Sequence, residues 1–215
     1  MKTAILFDLD GTLLDTLGDL HAATNTVLQQ FGYPERTIDE VRRFVGNGAR
    51  RLIEQAVPEG QQHNVEQVLT AFQKYYAAHC DILTRPYPGV PQILASLGEK
   101  YPLAVVSNKP DRAVKELANI YFPNLYARGE SADCPRKPAP DMVQMAMQAL
   151  NADRCIYVGD SEVDVLTAQN AAVPCLSVTW GFRDVETLKA AGAAYFCHKA
   201  EDVEECIEKI MENEF

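Results

Sequence analysis

The spacing of apolar residues changes along the chain, and each change marks a different kind of element. Ala4, Ile5, Leu6 and Phe7 form a short apolar run that stops at Asp8-Leu9-Asp10-Gly11. Such a run before a turn signal predicts a buried strand entering a loop. From about residue 16 to residue 78 the period becomes helical. Leu17, Leu20, Ala23, Thr24, Val27, Leu28 and Phe31 share one face, and Gly32 ends the stretch. Residues 41–45, 52–57 and 65–76 predict three further helices, the second of them stopped by Pro58. This block contains no strand pattern and reads as a small helical subdomain. Arg85-Pro86-Tyr87-Pro88-Gly89 is its exit linker.

The remainder alternates. Strands are predicted at 103–106, 125–127, 155–158 and 175–178, with an edge strand at 195–197. Helices are predicted at 90–97, from 111 onward, and at 140–150, 162–170 and 203–211. Alternation of this kind implies an α/β fold, a doubly wound parallel sheet with helices on both faces. In such sheets ligands bind beyond the carboxyl ends of the strands.

Composition narrows the function classes. The 215 residues carry 20 Lys and Arg against 30 Asp and Glu, a formal net charge of -10. That balance disfavours nucleic acid and anionic membranes as partners. It leaves room for a small phosphorylated metabolite, because a metal ion and a few cations reverse the field locally. The six cysteines, at 80, 134, 155, 175, 197 and 206, contain no Cys-x-x-Cys pair and read as reduced thiols. The N-terminal apolar run is too short for a signal peptide, and no stretch reaches membrane-spanning length. A soluble cytoplasmic protein is expected, with monomer and homodimer both compatible.

Candidate chemistry sits at the predicted strand ends. These carry Asp8-Leu9-Asp10-Gly11-Thr12, then Ser107-Asn108-Lys109, then Gly159-Asp160-Ser161 followed by Asp164. Lys137 lies in the proline-rich loop Pro135-Arg136-Lys137-Pro138. A parallel sheet would bring all four groups to one edge. Asp8, Asp10, Asp160 and Asp164 would then crowd together, at a cost that a hard divalent cation offsets. An aspartate needs no base to attack phosphorus, because its ordinary pKa leaves it ionised at neutral pH. A second aspartate two residues on can protonate the leaving oxygen.

These motifs, in this order, resemble the four motifs of the haloacid dehalogenase superfamily. The resemblance implies a magnesium-dependent phosphatase that works through an aspartyl phosphate. Asp8 would be the nucleophile, Asp10 the acid/base, and Lys137 the cation that neutralises nucleophile and phosphate. Leu9, Asp10, Ser107, Asn108 and Lys137 would bind phosphate, and Asp8, Asp10 and Asp160 would hold Mg2+. Gly11, Thr12, Ser161 and Asp164 would support them. The helical block, residues 15–83, would be a cap domain over a core of residues 1–14 and 84–215. Its segment from Val41 to Arg50 is similar to that of phosphoglycolate phosphatases, which points to 2-phosphoglycolate and makes Arg43, Gly46, Asn47 and Arg50 candidate substrate contacts. The alternatives within the superfamily are a sugar-phosphate mutase of the β-phosphoglucomutase type and an inorganic pyrophosphatase. A dehalogenase does not need Asp10. The phosphonate-cleaving branch needs a cap lysine, and no lysine occurs between Lys2 and Lys74.

Overall fold

The computed structural model describes residues 1–215. A first strand, β1 (Thr3–Phe7), is buried at every position. A two-residue strand, β2 (Leu14–Asp15), follows it. Four helices come next: α1 (Leu17–Gln30), α2 (Ile38–Phe44), α3 (Gly48–Ala56) and α4 (Val65–Ala77). The chain then returns through β3 (Arg85–Pro86), which pairs antiparallel with β2. The four helices are therefore an insertion hung from a two-stranded ribbon, and they lie inside the expected segment 15–83.

Beyond the ribbon come α5 (Val90–Lys100), β4 (Leu103–Pro110), α6 (Asp111–Tyr121), β5 (Tyr126–Glu130), α7 (Asp141–Ala149) and β6 (Arg154–Gly159). Then follow α8 (Glu162–Asn170), β7 (Cys175–Val178), α9 (Val185–Ala190), β8 (Tyr195–Cys197) and α10 (Val203–Glu214). Six strands form one sheet in the order β5-β4-β1-β6-β7-β8, and every pair in it is parallel. The expected doubly wound α/β class is the one observed.

Sequence order runs outward in both directions from β1. That makes β1 the switch point, where neighbouring connections leave to opposite faces and open a crevice. Burial on both faces explains why β1 and β6 read as unbroken apolar runs rather than alternating ones. The apolar core has two parts. One cluster of 38 buried residues runs from the sheet into the inserted helices, joining Phe7 and Leu9 to Leu20, Leu52 and Phe72. A smaller cluster of 11 lies on the other face, under α7 and α8, around Leu6, Val106, Tyr157, Met142 and Ala168. No helix is long and apolar enough to cross a membrane.

The ribbon and α9 are absent from the sequence-based reading. Two-residue strands carry no period to detect. Helix α9 buries only Leu188 and so presents no apolar stripe.

Candidate active site

The site lies at the carboxyl ends of β1, β4 and β6. After Phe7 the chain curls around the Leu9 carbonyl, which accepts from the backbone N–H groups of Thr12, Leu13 and Leu14. Gly11 makes this turn at φ +85°, and a Cβ there would collide with the Asp160 carboxylate. The loop thereby sets Asp8 beside Asp160 and Asp164, while the Asp10 carboxylate turns to Lys109 and Thr16, so three of the four expected carboxylates cluster. Thr12 Oγ1 donates to Asp160 Oδ1 at 2.9 Å, and the Phe182 N–H donates to Oδ2 at 2.7 Å.

Lys137 is 2% exposed and its ammonium is fully engaged. Nζ donates to Asp164 Oδ1 at 2.7 Å and to the Tyr157 hydroxyl at 3.0 Å, and it lies 2.9 Å from Asp8 Oδ1. Tyr157 in turn donates to the Val106 carbonyl. Asp164 also accepts from the Ser161 N–H and hydroxyl, closing a capping box at the start of α8. Asn108 fixes the Lys137 loop. It accepts from the Lys137 N–H at 2.7 Å and donates to the Lys137 carbonyl at 3.0 Å and the Gly46 carbonyl at 3.1 Å. Ser107 is buried, and its oxygen accepts from the Lys109 N–H.

A second lysine, not singled out from the sequence, faces Asp10. Lys109 Nζ donates to Asp10 Oδ1 at 2.8 Å, and Thr16 Oγ1 donates to the same oxygen at 2.6 Å. Lys109 immediately follows Ser107-Asn108, so its place in the motif was the one available signal.

Charge and burial act against each other here. Burial pushes the Asp8 carboxyl up to about 7; Lys137 pulls it down while Asp164 and Asp10 push it further up. Burial, then Asp164 and Asp8, lift Asp160 well above the usual carboxylate range. Positive charge beyond that of Lys137, such as a bound cation, would favour the ionised form of Asp8 further. Burial alone would lower Lys137, but Asp164 and Asp8 outweigh it and hold the ammonium charged.

The residues fit a divalent cation. Carboxylate oxygens of Asp8, Asp160 and Asp164 lie within 4.8 Å of one another, and Asp8 Oδ1 is buried with no partner beyond its ion pair to Lys137. Asp164 takes three donors, from Lys137 and Ser161, whereas each Asp160 oxygen takes one and Asp8 only its ion pair to Lys137, so Asp8 and Asp160 are the carboxylates with room to coordinate. Hard oxygen donors of this kind suit magnesium.

A cavity of about 230 Å³ opens over these groups, between the strand ends and the inserted helices. Its floor includes Asp8, Asp10, Ser107, Asn108, Lys109 and Asp160, and its roof includes Leu20, Val45, Leu52, Phe72 and Tyr76. Gly46 is part of the lining, whereas Arg43, Asn47 and Arg50 are not. Arg50 is exposed and paired with Glu66, and Arg43 is exposed. Asn47 gives its carbonyl to Arg136 at 3.2 Å. Arg183, in the loop after β7, bridges core and insertion. Its Nε donates to Glu162 at 2.8 Å, and its terminal nitrogens donate to the carbonyls of Arg42 at 3.0 Å and Val45 at 2.6 Å. Nothing in the sequence marks Arg183, because its partners in the insertion are backbone atoms.

Residues 5–178 match the family model of haloacid dehalogenase-like hydrolases. The chain belongs to that family. It is therefore a hydrolase, and its curated relatives agree. Phosphoglycolate phosphatase 1 of Pseudomonas aeruginosa is 33% identical, covering 97% of this chain and 80% of that protein. The phosphoglycolate phosphatase of Rhodobacter capsulatus is 36% identical, covering 85% and 87%. Among solved structures, one from Lactobacillus delbrueckii subsp. bulgaricus has a TM-score of 0.90 at 38% identity, covering 96% of this chain and 99% of that one. A haloacid dehalogenase-like hydrolase from Streptococcus pneumoniae has a TM-score of 0.87 at 25% identity, covering 96% and 98%.

Proposed function

We propose that the protein is a magnesium-dependent phosphatase acting on 2-phosphoglycolate. The observation that carries the reading is the placement of Asp8 and Asp10 on the floor of one small cavity, each carboxylate held by its own buried lysine. One Asp8 oxygen attacks phosphorus in line. As the phosphorus–oxygen bond to the leaving group breaks, Asp10 gives that oxygen a proton. Water then attacks the aspartyl phosphate and returns its proton to Asp10. The phosphorus–Asp8 bond breaks, releasing inorganic phosphate.

Lys137 offsets charge on Asp8 and on the transferring group, while Ser107 and the backbone at Leu9 and Asp10 contact phosphate oxygens. Asp8, Asp160 and the Asp10 carbonyl would hold the cation, which when bound supplies further stabilisation of negative charge on the phosphoryl oxygens. The inserted helices act as a cap that excludes water from the intermediate. The cavity is smaller than the roughly 300–1,000 Å³ usual for drug-sized ligands, which favours a substrate of few heavy atoms. The curated relatives supply the choice of 2-phosphoglycolate.

The test is phosphate release with and without magnesium across 2-phosphoglycolate, pyrophosphate, hexose phosphates and nucleotides. A strong preference for 2-phosphoglycolate is expected. Uniform weak activity would remove the substrate and keep the chemistry. Rearrangement of β-glucose 1-phosphate without phosphate release would make the protein a mutase instead.

A further inference from the structure

The chemistry above leaves one buried cation of the cavity without a role toward substrate. The Lys109 side chain is 3% exposed, yet its ammonium, with three protons to donate, makes one well-aligned hydrogen bond, to Asp10. It lies 4.7 Å from the centroid of the Tyr76 ring, on α4. The Tyr76 hydroxyl is also buried and has no hydrogen-bond partner. Both groups line the same cavity. Buried donors left unmet are costly, so a site that keeps two of them side by side is made for an acceptor that arrives with the ligand.

The other cations around the cavity are committed elsewhere or exposed. Lys137 donates to Asp164 and Tyr157 and pairs with Asp8. Arg183 is spent on Glu162 and the carbonyls of Arg42 and Val45. Arg112 is exposed on α6.

Position identifies the acceptor. To be protonated by Asp10, the leaving oxygen must come within about 2.6–3.2 Å of its carboxyl. Lys109 Nζ sits on Oδ1 of that same carboxyl, at 2.8 Å. A carboxylate on the carbon that bears the leaving oxygen therefore falls beside the ammonium, whereas the phosphoryl group lies on the Asp8 side. We propose that Lys109, together with the Tyr76 hydroxyl, binds the carboxylate of a phosphorylated α-hydroxy acid and selects that class of leaving group. The proposal rests on the phosphatase reading and adds to it the residues that read the substrate.

Lys109→Met keeps the stem and removes the charge. The pair of substrates to compare is 2-phosphoglycolate and its neutral isostere, 2-phosphoglycolamide. Loss of the partner of Asp10 lowers kcat on both. Loss of the carboxylate contact adds, on the acid alone, a rise in KM, so the acid-over-amide ratio of kcat/KM falls by about tenfold or more. Lys109→Arg restores part of the ratio. An equal fall on both substrates means that Lys109 acts only through Asp10, and it overturns the proposal. Tyr76→Phe removes a hydroxyl that has no partner within the protein, so folding is retained and the ratio falls about threefold. If Lys109→Met does not fold by near-UV circular dichroism, an unchanged ratio in Tyr76→Phe overturns the proposal by itself. Wild-type protein inactive on both compounds refutes the phosphatase reading. Wild-type protein that hydrolyses both equally well refutes only the carboxylate site.

Discussion

Core and insertion meet at the cavity through different atoms. The core loops present charged and polar side chains: Asp8, Asp10, Lys109, Lys137 and Asp160. The insertion docks on them with its backbone. The carbonyls of Val45, Gly46 and Asn47 accept from Arg183, Asn108 and Arg136, all of them core side chains. Gly46, at φ +116°, lets the chain between α2 and α3 take that course. A carbonyl is present whatever the side chain, so the docking edge tolerates sequence change that the core loops cannot. The insertion's own side chains in the cavity are mostly apolar, and they shape it.

The comparison can be broken first at the core. Asp8→Asn is expected to lower kcat by about 10³-fold or more, because no other group can accept the phosphoryl. Turnover within tenfold of wild type would sink the nucleophile. Arg183→Met keeps the stem but releases the insertion's docking edge, and kcat/KM should fall by about 10²-fold as the cavity loses its closed geometry. An unchanged value would mean that the backbone contacts do not hold the two regions in register. Asn108→Ala leaves the Lys137 N–H and the Gly46 carbonyl unmet. A loss of about 2–3 kcal/mol is expected, read as a melting temperature lower by roughly 4–12 °C.

Metal linkage sharpens the electrostatic half of the comparison. Burial holds Asp8 near 7 and raises Asp160 as well. The metal-free folded protein thus keeps protons that the unfolded chain releases near pH 4, and through these groups it loses stability as pH rises from about 4 to about 7. Magnesium bound at Asp8 and Asp160 would compete with those protons. The rise in melting temperature on adding magnesium should therefore be greater at pH 8 than at pH 6, by about 2 °C or more. Smallest of all, Arg43→Ala and Arg50→Ala should each leave kcat/KM within about twofold, since exposed charges away from the cavity contribute little.

The floor of the candidate site was legible because most of its motifs are contiguous in sequence and follow a strand that can be read. Asp8-x-Asp10-Gly11-Thr12 announces itself over five residues. The strand ends at Ser107 and Asp160 are fixed by the apolar runs before them. Lys109 stood in plain view beside Ser107, but its meaning depends on Asp10 and Tyr76, which only folding brings close. Arg183 was out of reach for a stronger reason. Its partners in the insertion are carbonyls of residues 42 and 45, and a carbonyl leaves no trace in a sequence. Arg43 and Arg50 drew attention by charge, and charge does not tell which side of a helix faces solvent.

The ribbon of β2 and β3 carries one more consequence. Leu14 pairs with Pro86 and Asp15 with Arg85, so the chain leaves the core and re-enters it through adjacent residues. Everything between is, topologically, the loop of a hairpin. Such a loop can be lengthened, shortened or exchanged without reordering a single strand of the sheet, and the entropic cost of lengthening it grows only slowly. A lineage can therefore refit the roof of this cavity for a new substrate while the floor, and the reaction performed on it, stays as it was.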